Sequence, residues 1–120
     1  MSTAPANGIA GLAALAVDCS DPPALAAFWL RLLGGRAEDD ADGDTFLTGG
    51  LVDVIFMRVL EPKSTKNRLH LDLRAADQEA AVAFAIEAGA TRADDVYKGP
   101  RWQVLRDPEG NEFCILPPKG

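Results

Sequence analysis

The chain has 120 residues, of which 48% are hydrophobic and 25% charged, so we expect one globular domain with a single core. Its formal charge of −6 argues against nucleic acid and acidic membranes as partners. No apolar run approaches the roughly 18 residues that a membrane-spanning helix needs.

Residues 1–10 begin with MSTAPANG, which has no basic segment ahead of an apolar stretch. We therefore predict a disordered lead rather than a signal peptide. Cys19 and Cys114 have no CxxC spacing and do not form a disulfide framework. These features predict a cytoplasmic protein with two free thiols.

The first half of the domain, 11–59, is predicted to have the order β-α-β-β-β. The apolar segment LAALAVD, 12–18, is a strand, and Asp21 caps a helix over 22–33 with two prolines in its first turn. Gly34 ends that helix. Three short strands separated by Asp/Gly turns follow at about 35–39, 44–48 and 51–59.

After a polar linker, 60–66, the order repeats in the second half, 67–118. RLHLDLR, 68–74, is a strand, and Asp77 caps a second helix. ATRADDVY, RWQVLRD and NEFCILP are the three further strand candidates. Neither half can bury both faces of its sheet alone. We therefore predict an α+β fold in which two βαβββ modules, within the single domain 11–120, form a curved mixed sheet around a cavity, with the helices on the outer face.

Side chains alternate between the two faces of a strand, and the face under the helices must be apolar. In 68–74 the leucines are expected to pack against the helices, so His70 and Asp72 face the cavity. The same reasoning places Glu112 and Cys114 of the last strand on the cavity side, because Phe113 and Ile115 belong under a helix.

The strand LVDVIFMRV is apolar on both faces, so its orientation is ambiguous. We assign Val54, Phe56 and Arg58 to the cavity, because that choice leaves the arginine on the open side. Phe46, Phe56 and Trp102 are candidates for an aromatic wall against a flat organic ligand. The alternative is that Phe46 and Trp102 are core residues.

His70 is the only histidine of the chain. It is either a general acid–base or a residue that bonds to Asp72 or Glu112 and shapes a polar cavity floor. Cys114 is either a nucleophile or a small buried core residue. There is no GxSxG, P-loop, GxGxxG or HExxH motif, so the corresponding hydrolase and nucleotide-binding chemistries find no support.

Several segments resemble the vicinal oxygen chelate superfamily of glyoxalases, bleomycin resistance proteins and extradiol dioxygenases. They are the repeated β-α-β-β-β order, DPPALAAFW followed by LLGG, RLHLDLRAAD before the second helix, and DPEGNEFCIL near the end. Within the superfamily the chain looks most like the small glyoxalase-like domain proteins. The resemblance extends from about Gly11 to Pro118.

The resemblance also implies where a divalent metal would bind, because enzymes of the superfamily take ligands from the first and last strands of each module. The equivalent positions here are Ala14, His70, Cys114 and either Val54 or Phe56. Only His70 and Cys114 carry metal-binding side chains, so we expect no functional metal. If a metal binds, it is a soft ion on His70 and Cys114, with Asp72 or Asp18 as a further ligand.

The leading hypothesis is a glyoxalase/bleomycin-resistance-like protein that binds a small organic molecule without an obligatory metal. A metal-dependent lyase or dioxygenase is one alternative, and a metal-free lyase or isomerase with His70 as acid–base is another. The resemblance further implies a homodimer. In the sequence, Trp29, which is either a core residue or a dimer contact, and Val96 are the exposed apolar candidates for its interface. The expected ligand-binding residues are His70, Asp72, Phe46, Phe56, Arg58, Trp102 and Cys114.

Overall fold

The computed structural model describes residues 2–4 and 8–119. Its elements in chain order are β1 (Leu15–Cys19), α1 (Pro22–Leu33), β2 (Arg36–Asp39), β3 (Thr45–Thr48), β4 (Val54–Arg58), β5 (Asp72–Arg74), α2 (Gln78–Ala88), β6 (Thr91–Arg92), β7 (Gln103–Arg106) and β8 (Glu112–Leu116). The predicted α+β fold of two βαβββ modules is therefore confirmed. The predicted disordered lead includes Met1 and residues 5–7, which lie outside the described residues.

Both helices begin and end where local sequence predicts. The Asp21 side chain accepts a hydrogen bond from the Ala24 backbone N–H at 3.2 Å, and Asp77 accepts one from Ala80 at 3.1 Å. At the C-terminal end of α2, Gly89 has φ 132°, a conformation that residues with a side chain rarely adopt. None of the helices in the described part of the chain has the length and hydropathy needed to cross a membrane.

Each module forms one four-stranded mixed sheet. The strand orders are β1-β4-β3-β2 and β5-β8-β7-β6. In each sheet the first strand of the module pairs in parallel with the last, and the remaining pairs are antiparallel. The equivalent order in the two sheets is the structural counterpart of the repeat in the sequence.

The core extends across both modules and centres on an aromatic cluster. Phe28 and Trp29 of α1 meet edge to face with ring centroids 5.2 Å apart, and Trp29 lies 4.8 Å from Phe113 of β8. Trp29 is only 5% exposed, so it takes the core position, the first of its two predicted roles, and is not an exposed candidate for a dimer interface. Helix α1 packs on the sheet of its own module, and Phe28 and Trp29 extend from it to contact Phe113 in the sheet of the second.

The DPEGN turn, residues 107–111, joins the modules through hydrogen bonds. The buried indole of Trp29 donates from Nε1 to the Asp107 carboxylate at 3.0 Å. The Glu109 carboxylate accepts from the backbone N–H groups of Ser20 and Asp21, at 2.7 and 2.8 Å. A turn of the second module therefore satisfies polar groups at the start of α1 and within it.

Several predicted strands are shorter than expected, among them β4, which covers Val54–Arg58 rather than about 51–59. β1 begins at Leu15 rather than at residue 12, and β5 begins at Asp72 rather than at residue 68. Leu69 lies in the unpaired segment before β5 and is 74% exposed, so its predicted contact with the helices is wrong. ATRADDVY is a strand only at Thr91–Arg92, because the Ala93 carbonyl accepts bonds from the N–H groups three and four residues later and turns the chain.

The predicted orientation of β4 is wrong. Val54 and Phe56 are buried at 3% and 1% exposure and belong to the core beneath α1. Phe56 pairs with Val17 of β1 and Thr45 of β3, which is also buried. Both faces of this strand are apolar, so alternation does not distinguish them, and the partly buried Val17 and the buried Thr45 on either side identify the face that meets the helix.

Candidate functional site

A cavity of about 370 Å³ lies on the open face of the second sheet. Its lining residues are Lys66, His70, Asp72, Val96, Tyr97, Trp102, Val104, Glu112, Cys114 and Leu116. The cavity combines two carboxylates, an imidazole, a thiol and two aromatic rings. This mixture of apolar walls and a few convergent polar groups is typical of small-molecule sites.

Strand register brings the polar floor together. Asp72 of β5 is the direct partner of Cys114 in β8, and Val104 of β7 is the partner of Cys114 on its other side. Directly paired residues lie on the same face of a sheet. Glu112 and Leu116, two residues to either side of Cys114, share this face because strand side chains alternate.

His70 lies in the irregular segment just before β5, and its Nδ1 atom is 2.9 Å from a carboxylate oxygen of Asp72. Both side chains are close to half exposed. The imidazole therefore has an acidic partner that orients its ring and remains accessible to a molecule in the cavity.

Cys114 is 7% exposed, and its surroundings disfavour the thiolate. Burial raises the pKa of the Cys114 thiol to about 11, and the negative charge and hydrogen bond of Asp72 add to the effect. Near neutral pH Cys114 is a protonated thiol. The nucleophilic form of cysteine is the thiolate, so this environment does not favour Cys114 as a nucleophile.

Glu112 is buried and compensated by two cations. The Lys66 ammonium lies 2.8 Å from one carboxylate oxygen, and Arg106 lies 3.5 Å from the other. The hydrogen bond from Lys66 holds the pKa of Glu112 below its ordinary value, against the opposing effect of burial. Lys66 was not among the predicted site residues. It lies at the end of the polar linker, 46 positions before its partner, and no local pattern connects the two.

The aromatic wall consists of Tyr97 and Trp102, which stack with centroids 4.1 Å apart and planes 10° apart. Both pack against Val104 and Cys114. A bridge between Lys98 and Gln103 closes the loop that carries the two rings. The sequence pointed to Trp102 but not to Tyr97, because ATRADDVY was read as a strand rather than as a turn that folds back on itself.

The structure brings four of the seven predicted ligand-binding residues into this cavity: His70, Asp72, Trp102 and Cys114. Phe46 is 39% exposed on β3 of the first module. Phe56 is a core residue, so its predicted position on the open face is wrong. Arg58 is exposed at the end of β4, where its backbone N–H donates to Asp44. None of these three lines the cavity of the second module.

Two further cavities lie between the modules. One of about 430 Å³ separates β1 from residues 67–71, with Phe56 and Phe113 in its wall and His70 at the boundary with the site described above. A larger cleft of about 710 Å³ lies between the end of α1 and α2. It is the largest of the three, but most of its lining side chains are apolar. The 430 Å³ cavity also has titratable residues in its lining, but its aromatic residues Trp29, Phe56 and Phe113 are buried in the core. The 370 Å³ cavity is the better candidate, since its two aromatic rings are only partly buried and lie beside titratable groups.

The three potential metal ligands in the cavity are His70, Asp72 and Cys114, whose donor atoms lie within 4.8 Å of one another. A set of nitrogen, oxygen and sulfur donors fits a soft ion such as Zn²⁺, which catalytic sites hold with three protein ligands. It does not fit Mg²⁺, Mn²⁺ or Ca²⁺, which prefer oxygen. Ala14, the remaining first-strand position, has no donor atom in its side chain.

No curated protein matches this chain. Several solved structures share its fold. A glyoxalase/bleomycin resistance protein/dioxygenase family enzyme from Burkholderia phytofirmans superposes with a TM-score of 0.70 at 24% identity, covering 90% of this chain and 98% of that one. A glyoxalase/bleomycin resistance protein from Albidiferax ferrireducens gives 0.64 at 22% identity, covering 88% and 98%.

A mutant of the genomically encoded fosfomycin resistance protein FosX from Listeria monocytogenes, complexed with Mn(II) and a dihydroxypropylphosphonic acid, gives a TM-score of 0.71 at 12% identity and covers 92% of each chain. At these identities the three structures establish a shared fold. The family model for the glyoxalase-like domain matches residues 14–116, nearly the whole chain. This protein therefore belongs to the glyoxalase-like domain family, within the vicinal oxygen chelate superfamily.

Proposed function

We propose that the protein binds a small, flat organic molecule in the cavity of the second module and does so without a metal. The observation that carries the proposal is the stacked pair of Tyr97 and Trp102 beside a polar floor of His70, Asp72 and Glu112. Aromatic faces bind flat molecules through stacking, and a few convergent polar groups orient them. The relatives named as bleomycin resistance proteins support this class of function.

Metal-free binding is favoured by the character of the donors. Cys114 holds its proton tightly, with a pKa of about 11, and the His70 Nδ1 atom already contacts Asp72. A metal must displace both the proton and this contact before it binds. The FosX relative was solved with Mn(II), an ion that prefers oxygen ligands over thiolates.

The test is a thermal-shift screen of flat aromatic compounds in the presence of a chelator. A ligand at a hundredfold excess over its Kd adds about 2.7 kcal/mol to the free energy of unfolding. We expect the shift to survive the chelator and to disappear in Trp102→Ala. Phe46→Ala, which truncates an aromatic residue outside the cavity, is the matched control and should keep the shift. A shift that the chelator abolishes, or that Trp102→Ala preserves, would contradict the proposal.

A metal-dependent lyase or dioxygenase is the second candidate, and the convergence of His70, Asp72 and Cys114 favours it. Elemental analysis of freshly purified protein separates the two. One zinc per chain that disappears in His70→Ala would replace the metal-free proposal.

The contact of His70 with Asp72 also suits a metal-free acid–base pair. Turnover that persists in chelator but stops in His70→Ala would identify that activity.

We further propose that the protein is a homodimer. Leu69 is 74% exposed beside His70, and Val96 is 40% exposed at the cavity. Exposed apolar residues next to a binding site are typical of interaction surfaces. Light scattering after gel filtration should give twice the chain mass, and Leu69→Glu should give a monomer. Leu60→Glu in the linker, the same substitution at an equally apolar exposed position, should remain dimeric. A monomeric wild type would refute this proposal.

A further inference from the structure

Most charges around the cavity of the second module are paired with an opposite charge. Glu112 is compensated by Lys66 at 2.8 Å and by Arg106 at 3.5 Å. Arg106 in turn makes two hydrogen bonds with the Asp95 carboxylate, at 2.8 and 2.9 Å. These four groups carry two positive and two negative charges, so together they contribute no net charge to the cavity.

Asp72 is different. Within the described residues it makes no ion pair with a lysine or arginine, and its contacts are the imidazole of His70 and the protonated thiol of Cys114. Its side chain is 49% exposed and lines the cavity. Of the two carboxylates that line the cavity, Asp72 is therefore the one that no lysine or arginine of the described residues compensates.

The aromatic wall favours the same sign of ligand charge. The faces of Tyr97 and Trp102 have a negative electrostatic potential, which attracts a cation within about 6 Å of the ring centroid. The walls beside the rings are apolar, formed by Val104 and Leu116. A carboxylate without a lysine or arginine partner among the described residues and a stack of two aromatic rings thus line the same cavity of about 370 Å³.

We propose that the ligand is a planar organic cation, in which a small fused aromatic system stacks on an outer face of the Tyr97–Trp102 pair and its positive charge pairs with Asp72. This inference rests on the proposed binding function and adds the charge of the ligand to it. The cavity volume lies near the lower end of the range for small-molecule sites, roughly 300–1,000 Å³, which suits two or three fused rings. A planar anion would meet the Asp72 carboxylate with the same sign of charge.

The experiment compares three fluorescent probes of similar shape: the cation aminoacridinium, neutral anthracenemethanol and the anion anthracenecarboxylate. Each is titrated into the full chain at neutral pH and followed by fluorescence. We expect the cation to bind at least about tenfold more tightly than the anion, because a hydrogen-bonded charge pair contributes about that factor or more. Asp72→Asn should reduce the affinity for the cation by about the same factor and the affinity for the neutral probe by a much smaller factor.

Asp42→Asn is the matched control, since it removes the same charge from an exposed turn of the first module and should change no affinity. Equal binding of cation and anion by the wild type would overturn the inference, as would an Asp72→Asn protein that keeps the preference. If the three probes bind equally and Trp102→Ala abolishes their binding, the ligand charge is wrong and the proposed function stands. If no probe binds, or binding ignores Trp102→Ala, both proposals fail.

Discussion

The contact between Trp29 and Asp107 offers a direct test of how the two modules are held together. One Asp107 oxygen accepts the backbone N–H groups of Glu109 and Asn111, at 3.0 and 2.9 Å. The other accepts the Trp29 indole N–H and the Asn111 side-chain amide, each at 3.0 Å. Asp107 is 4% exposed, so water cannot replace these partners.

In Asp107→Asn the amide oxygen can retain the two backbone bonds, but the amide nitrogen then faces two donors. The indole N–H of Trp29 is left buried without an acceptor, which costs about 1–3 kcal/mol. Loss of the charge weakens the remaining bonds and adds about 1 kcal/mol. We therefore expect Asp107→Asn to lower the free energy of unfolding by about 2–4 kcal/mol without changing the volume of the core.

Urea unfolding followed by tryptophan fluorescence measures this difference. For a domain of this length, each kcal/mol corresponds to about 4 °C in Tm, so the thermal midpoint should fall by about 8–16 °C. Asp42→Asn, the same substitution in an exposed turn, should stay within about 0.5 kcal/mol of wild type. If Asp107→Asn also stays within that range, the bond between α1 and the DPEGN turn does not stabilise the junction and the reasoning is refuted.

Two further predictions concern the cavity. The pKa of Glu112 is lower in the folded state than in the unfolded state, so its contribution to stability is complete above the ordinary glutamate value and is lost as pH falls through the folded value. Glu112→Gln should therefore destabilise the protein near pH 7 and lose less stability than wild type on acidification below about pH 4.5. Glu61→Gln in the linker is the control and should follow wild type. If the pH–stability curves of Glu112→Gln and wild type are parallel, the prediction is wrong. Cys114 has a pKa of about 11 in the folded protein. Its reaction with a thiol reagent at pH 8 should therefore be about a hundredfold or more slower in the folded protein than in urea-unfolded protein. If the folded protein reacts as fast as the unfolded protein, the Cys114 thiol is not buried.

Features that depend on neighbouring residues in the chain could be predicted. Asp21 and Asp77 cap their helices because a short acceptor side chain reaches backbone N–H groups three residues ahead, whatever the rest of the fold does. Alternation in β8 placed Phe113 under α1 and Cys114 on the open face, because one side of that strand must be apolar. These local rules and the family resemblance indicate five of the ten residues that line the cavity: His70, Asp72, Trp102, Glu112 and Cys114.

The orientation of β4 and the partners of the cavity residues depended on the tertiary structure. Phe56 faces the core rather than the cavity because its strand is apolar on both sides and only the packing of α1 selects one face. Tyr97 reaches Trp102 because the chain turns at Ala93, where the sequence pattern indicated a continuing strand. Strand periodicity shows which face meets a helix only where one face is apolar and the other polar, and in β4 both faces are apolar.

The sequence by itself determined the order of elements in the two βαβββ modules and their helix ends, since periodicity and end signals are contained in short segments. Only the tertiary structure decided that His70 reaches the cavity from the segment before β5, that Lys66 compensates Glu112 across 46 positions, and that Asp72 has no lysine or arginine partner among the described residues. Such ion pairs join segments that are distant in the chain, and no short-range pattern encodes them. The charge that a ligand meets is therefore a property of the folded cavity.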